Sequence, residues 1–157
     1  MCKEISFPRL IIVCGLPGSG KTTHAKSLEE KLGGIRFAPD EWLVALGLSL
    51  WDEQARAKIE CLQWAQSQRL LALGLTVIIE WGTWSRSERD ELRNGARKLG
   101  ALVELHYLDQ PMEVLMKRIK SRGMEKPPIQ REQLLEWSQI FQAPTAEEFA
   151  LFDEPTA

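Results

Sequence analysis

The chain is poor in the residues that build covalent or metal staples, with three cysteines and two histidines among 157 residues. Cys2, Cys14 and Cys61 show no CxxC or metal-type spacing, so a disulfide framework is not expected and a reducing interior is. Cys14 lies in an apolar run and reads as a small buried residue. Long hydrophobic runs are missing as well. The longest early one, Leu10 to Cys14, is far too short for a signal h-region or a membrane span, which points to a cytoplasmic chain. An excess of one charge is also absent: the formal net charge of −2 excludes a strongly basic nucleic-acid module. Repeats and low-complexity tracts are lacking, and the length fits one domain over residues 1–157. A chain of this size can bury a sufficient core without staples.

The balanced charge hides a segregation. Six basic residues and one acid lie between Lys117 and Arg131, a stretch of +5 that leaves −7 for the rest of the chain. A basic patch on an acidic body suggests a local anion site, against the plainer reading of a solvated helix face.

Strand and helix signals alternate along most of the chain. Leu10–Cys14, Ile35–Ala38, Leu75–Glu80 and Ala101–Leu108 read as strands. Helices are expected over Lys21–Leu32, Asp40–Leu46, Asp52–Leu73, Ser85–Leu99, Pro111–Ser121 and Arg131–Phe141. In the long helix, Ala55, Ile59, Leu62, Gln66, Leu70 and Leu73 fall near one face. The acidic tail after Pro144 is expected to pack only in part. Apolar, non-alternating strands separated by helices imply an α/β, three-layer arrangement with a short parallel sheet of four or five strands. In such sheets ligands bind beyond the carboxyl ends of the strands.

The loop after the first strand carries the chemistry. Gly15-Leu16-Pro17-Gly18-Ser19-Gly20-Lys21-Thr22 matches G-x-x-x-x-G-K-[ST] between a strand and a helix, the context of a P-loop. Its glycines let consecutive N–H groups converge on phosphate oxygens, and the helix N-terminus adds positive potential. Lys21 would reach the β- and γ-phosphates, Thr22 would hold Mg²⁺, and Thr23 is placed for the α-phosphate. The guanine motif N-K-x-D, the switch motif D-x-x-G and the L-S-G-G-Q signature are all absent. A small kinase-type P-loop fold remains, with ATP and Mg²⁺ as its cofactors.

Such a kinase needs an acceptor base and cations over the transferring phosphoryl group. Asp40 follows the second strand, where it either accepts the acceptor's proton or N-caps the next helix, and Glu41 is its neighbour. Glu80 ends the third strand, where it either serves Mg²⁺ or the acceptor, or pairs with Arg86 or another arginine. Arg118 and Arg122 are four apart on one helix face, followed by Gly123 and Pro127-Pro128. That arrangement fits a helical lid over about 117–131 whose arginines neutralise the phosphoryl group on closure. His24 and His106 read as structural, since no nucleophile motif accompanies them.

These features resemble the zeta-toxin, polynucleotide-kinase and chloramphenicol-phosphotransferase group of P-loop kinases, of the small AAA_33 type. The resemblance rests on GLPGSGKTT (15–23), the aspartate of RFAPDEW (36–42), VIIEWGTWSRSERD (77–90) and VLMKRIKSRG (114–123). It implies a P-loop NTPase fold with a lid, Asp40 as the acceptor-activating aspartate and Arg122 as a lid arginine on the donor phosphates. Gly82-Thr83-Trp84 replaces the Asp-Thr-Asn segment of polynucleotide kinases, so the acceptor does not carry over.

Trp42, Trp81 and Trp84 fall in loops on the expected acceptor side, whereas Trp51 and Trp64 read as core. With Asp40, Glu41, Glu80 and Arg86 they either wall an acidic pocket for a neutral or cationic hydroxyl compound or simply pack the loops. Three functions stay open: a small-molecule kinase, a polynucleotide 5′-hydroxyl or nucleotide kinase, and a nucleotide-dependent switch. The acidic pocket disfavours a polyanionic acceptor.

Overall fold

The computed structural model describes residues 7–156; Cys2 lies outside them. Four strands, β1 (Arg9–Cys14), β2 (Ile35–Phe37), β3 (Thr76–Gly82) and β4 (Leu102–Tyr107), form a wholly parallel sheet in the order β2-β3-β1-β4. The helices are α1 (Lys21–Leu32), α2 (Pro39–Ala45), α3 (Glu53–Ala72), α4 (Arg86–Lys98), α5 (Met112–Arg122), α6 (Arg131–Ile140) and α7 (Ala146–Phe149).

The unbroken apolar run of β1 follows from cover on both faces. Leu10, Ile12 and Cys14 pack toward Leu71 of α3 and Leu92 and Ala96 of α4. Ile11 and Val13 point the other way, onto Ala25 and Leu28 of α1. Each fully buried aliphatic side chain here stabilises the fold by ~1.5–3 kcal/mol. Because every strand runs in the same direction, the loops after all four open at one edge of the sheet. A register shift between Ile12 and Cys14 sets two β3 residues, Glu80 and Trp81, against Val13 alone.

Two local expectations are corrected. Asp40 does not cap α2: Ala38 is the N-cap, Pro39 opens the helix, and no side chain caps it. The buried line of α3 is Ile59, Gln63, Ser67 and Leu71, while Leu62 and Leu73 are 58% and 75% exposed. Hydrogen bonds offset the burial of Ser67 and of the Gln63 side-chain oxygen: Trp81 Nε1 donates to Gln63 Oε1 at 2.8 Å and Ser67 Oγ donates to the Gln63 carbonyl at 2.7 Å, while Gln63 Nε2 is buried without a partner. The tail packs in part, as expected, with most of residues 144–156 exposed. Glu148 is buried against Arg89, Phe152 packs on the core, and Asp153 receives the Val103 N–H at 2.6 Å. Among the described residues no helix is long and apolar enough to cross a membrane.

Candidate active site

The loop between β1 and α1 is held under α5 by a missing side chain. Gly18 has φ +81°, and a Cβ there would lie 2.8 Å from the Leu115 carbonyl oxygen and 3.1 Å from Ile119 Cγ1. Arg118 of the same helix donates to the Gly18 carbonyl at 3.3 Å. α1 begins without a side-chain cap and without an acid in its first turn, so its N-terminal N–H groups keep their positive potential for a ligand. Lys21 Nζ donates to the carbonyls of Gly15 and Leu16 at 3.0 and 2.9 Å. The buried Ser19 hydroxyl has no partner. Pro17, Gly18, Ser19, Gly20, Lys21, Thr22 and Thr23 all line one cavity of about 1660 Å³. Gly15 stands behind them, its N–H bonded to the Gly82 carbonyl at 3.2 Å.

Glu80 meets this loop because the alternation of β3 sends it to the α1 face. Its Oε1 accepts from the Thr22 hydroxyl at 3.0 Å and lies 3.4 Å from Arg36 Nη1. Its Oε2 is buried with no partner, and burial pushes the carboxyl above its ordinary value. The expected arginine partner of Glu80 is thus Arg36 of β2, not Arg86. Burial pushes the Lys21 ammonium down to about 8, opposed by Asp40 and reinforced by Arg122. Residues far apart in sequence therefore act on one amine.

Asp40 faces the cavity from the first turn of α2 and is ion-paired to Arg56 of α3. Glu41 also lines the cavity, with Arg36 Nη2 donating to both its oxygens at 3.0 Å. Trp42 does not line it. A residue two places beyond Asp40 sits about 200° around a helix, and Trp42 turns back onto Phe37 at 6.1 Å between ring centroids. Arg86 does not line it either, because its guanidinium folds onto Asp90 at 3.2 Å along the outside of α4. Trp81 and Trp84 do. Arg118 and Arg122 both enter the cavity from α5, with Arg122 ion-paired to Glu125.

Sequence reading missed several participants. Trp51, expected in the core, also stands in the cavity wall, its centroid 6.0 Å from that of Trp137, which in turn lies 5.7 Å from Trp84. Arg56 and Glu60 reach the cavity from α3 on one face with Glu53. The i, i+3, i+7 spacing of Glu53, Arg56 and Glu60 was the available signal. The histidines form a structural chain: His24 Nε2 lies 2.8 Å from His106 Nδ1, and His106 Nε2 lies 2.9 Å from the buried Glu104.

A family model described as an AAA domain, AAA_33, matches residues 10–144. A probable gluconokinase of Schizosaccharomyces pombe is 31% identical over 152 residues, covering 90% of this chain and 77% of that protein. An L-seryl-tRNA(Sec) kinase of Methanococcus maripaludis is 28% identical over 123 residues, 75% of this chain; the match spans only 48% of that protein, about half its length. Among solved structures, a chain of the Pnkp1/Rnl/Hen1 RNA repair complex superposes with a TM-score of 0.75 at 24% identity. It covers 94% of this chain and 47% of that one, and the likeness speaks to the fold. The chain belongs to the AAA_33 family, within the P-loop kinase group.

Proposed function

We propose that the chain transfers the γ-phosphate of ATP to a hydroxyl of a small molecule, with Mg²⁺, and that residues 117–131 act as its lid. The observation that carries this reading is the meeting of Lys21, Asp40, Glu80, Arg118 and Arg122 in one cavity at the carboxyl edge of the sheet. The residues present suit the absent groups. The cradle that a Gly18 Cβ would fill and the unpartnered Ser19 hydroxyl fit a phosphate, and the orphaned Glu80 Oε2 beside Thr22 fits a divalent cation. Bound there, Mg²⁺ would neutralise charge on the phosphate oxygens.

The protein's own groups then divide the work. Lys21 exchanges its two carbonyls for phosphate oxygens. Asp40 takes the hydroxyl proton as the acceptor oxygen bonds to the γ-phosphorus and the bond from that phosphorus to ADP breaks. To do so it releases Arg56, since a carboxylate neutralised by a guanidinium is a poor base. Arg118 and Arg122 stabilise the charge on the moving phosphoryl group once Arg122 leaves Glu125.

The test is acceptor-dependent ADP release across a library of hydroxyl-bearing metabolites and antibiotics, followed by two variants. Lys21→Ala should abolish nucleotide binding and turnover. Asp40→Asn should keep ADP affinity and lower kcat by roughly 10²- to 10⁴-fold. An Asp40→Asn enzyme as fast as wild type would remove the base assignment, and slow hydrolysis unaffected by every acceptor would favour a nucleotide switch.

A further inference from the structure

The two walls of the cavity differ in charge and in texture. On the phosphate side stand Lys21, Arg118 and Arg122. α3 presents Glu53, Arg56 and Glu60 to the cavity, Glu88 lines it from α4, and Asp40, near enough to act on the Lys21 ammonium, lines it from α2. Four carboxylates there face a single guanidinium, which is already committed to Asp40. Burial, Glu88 and Asp40 together push the Glu60 carboxyl up to about 7, with Arg56 opposing them, so these acids sense one another. Acids outnumber the one guanidinium on this wall.

The same cavity carries an aromatic surface. Trp51, Trp137 and Trp84 follow one another at 6.0 and 5.7 Å between centroids, tilted by 45° and 51°. The Trp51 indole is fixed by donating Nε1–H to the Pro127 carbonyl at 2.9 Å. Thr83, beside Trp84, is only 4% exposed, lines the same wall, and its hydroxyl has no partner. Indole faces accept the C–H face of a saturated ring or an ammonium group, and an unpaired buried hydroxyl calls for a polar ligand. The cavity also exceeds the 300–1,000 Å³ or so usual for one small molecule, which leaves room beside a nucleotide for more than one ring.

We propose that the acceptor is an amine-bearing polyol of the amino-sugar class, its ring against Trp84 and Trp137, its ammonium at Glu60 and Glu88, and its reacting hydroxyl at Asp40. This rests on the kinase reading above. Carboxylate-bearing sugars and polynucleotides bring the wrong charge to this wall and are disfavoured by repulsion.

The experiment measures acceptor-dependent ADP release with matched probes: glucosamine, N-acetylglucosamine and gluconate, then kanamycin and its N-acetylated derivative. The amines should show a KM at least about tenfold below their N-acetylated counterparts, the scale of one charge-assisted hydrogen bond, and gluconate should be inert. Glu60→Gln should shrink that amine-to-acetyl KM ratio by about tenfold. Turnover of gluconate or an N-acetylated sugar at an equal or lower KM would overturn the amine assignment and leave the kinase reading standing. Silence from these probes in an enzyme that turns over another hydroxyl compound would overturn the amine assignment alone, and silence across the whole library would overturn both.

Discussion

Arg89 and Glu148 form a two-pronged ion pair closed to water, with Nε donating to Oε1 at 2.6 Å and Nη2 to Oε2 at 2.9 Å. The two residues are 0% and 1% exposed. The same guanidinium donates to the carbonyls of Thr83 and Gln142 at 2.9 and 2.8 Å. Thr83 holds a left-handed backbone, φ 45°, which a β-branched residue adopts only when its surroundings impose it. The tail therefore clamps the loop that carries Thr83 and Trp84 in the cavity wall.

Breaking this pair from one side should be costly. Glu148→Gln leaves half of a buried guanidinium unpaired and should lower unfolding free energy by roughly 3–5 kcal/mol, read from urea denaturation. An Arg89→Met, Glu148→Leu double variant removes both charges and should recover part of that loss. Recovery stays incomplete because the Thr83 and Gln142 carbonyls lose their donor. A single variant as stable as wild type would show that the pair contributes nothing net.

Two glycines separate backbone strain from ligand binding. Gly18 and Gly47 both have positive φ, +81° and +69°, but a Cβ at Gly47 meets nothing within 4 Å. Alanine at Gly47 should cost only about 1–2 kcal/mol of stability and leave ADP affinity intact. Alanine at Gly18 must push α5 and its arginines away from the loop, and should weaken ADP binding by more than about tenfold. Calorimetric titration with ADP distinguishes them, and equal affinities would mean that the α5 contact does not shape the nucleotide site.

The sequence carried the phosphate loop, the parallel sheet and most element boundaries, because each rests on local rules of spacing and backbone conformation. The Ser85–Glu88 capping box, for instance, forms as read. What stayed hidden depends on contacts across the fold. The buried face of α3 includes Gln63 and Ser67, whose burial is offset in part by hydrogen bonds, one of them to Trp81 of β3. Trp42 turns to the core because the helix start at Pro39 decides its direction, and Trp51 packs on the Leu115 and Leu134 cluster while also lining the cavity. The pairings of Asp40 with Arg56, and of Arg89 with Glu148 across fifty-nine positions, have no sequence signature.

The Glu80 carboxylate should set the response to Mg²⁺. Its Oε2 is buried without a partner while its Oε1 accepts from the Thr22 hydroxyl, and among the described residues no cluster of three His, Cys, Asp or Glu forms a metal cage. Wild-type ATP affinity should fall when Mg²⁺ is removed with EDTA. In Glu80→Gln, ATP affinity measured with Mg²⁺ should drop toward the EDTA value, while EDTA itself changes little. A Mg²⁺ response of wild-type size in Glu80→Gln would place the cation elsewhere.

Acid stability should depend on Glu104 of β4, which is fully buried. Burial alone would raise its carboxyl, but hydrogen bonds from His106, Thr156 and Arg9, with the Arg9 charge, outweigh it and hold the group at about 2, below its ordinary 4.5. A carboxyl depressed in the folded state stabilises fully above its unfolded value and loses that contribution as pH falls through the folded one. The stabilisation, on the order of 3 kcal/mol for a shift of this size, should therefore be present above about pH 4.5 and vanish toward pH 2. Glu104→Gln keeps the shape of the side chain without the titrating charge. Its stability gap from wild type, followed by urea unfolding from pH 6 to 3, should hold constant down to about pH 4.5 and narrow below it. A gap that stays constant below that pH would assign the acid sensitivity to other carboxylates, since a group that does not titrate between the two states cannot contribute to the slope.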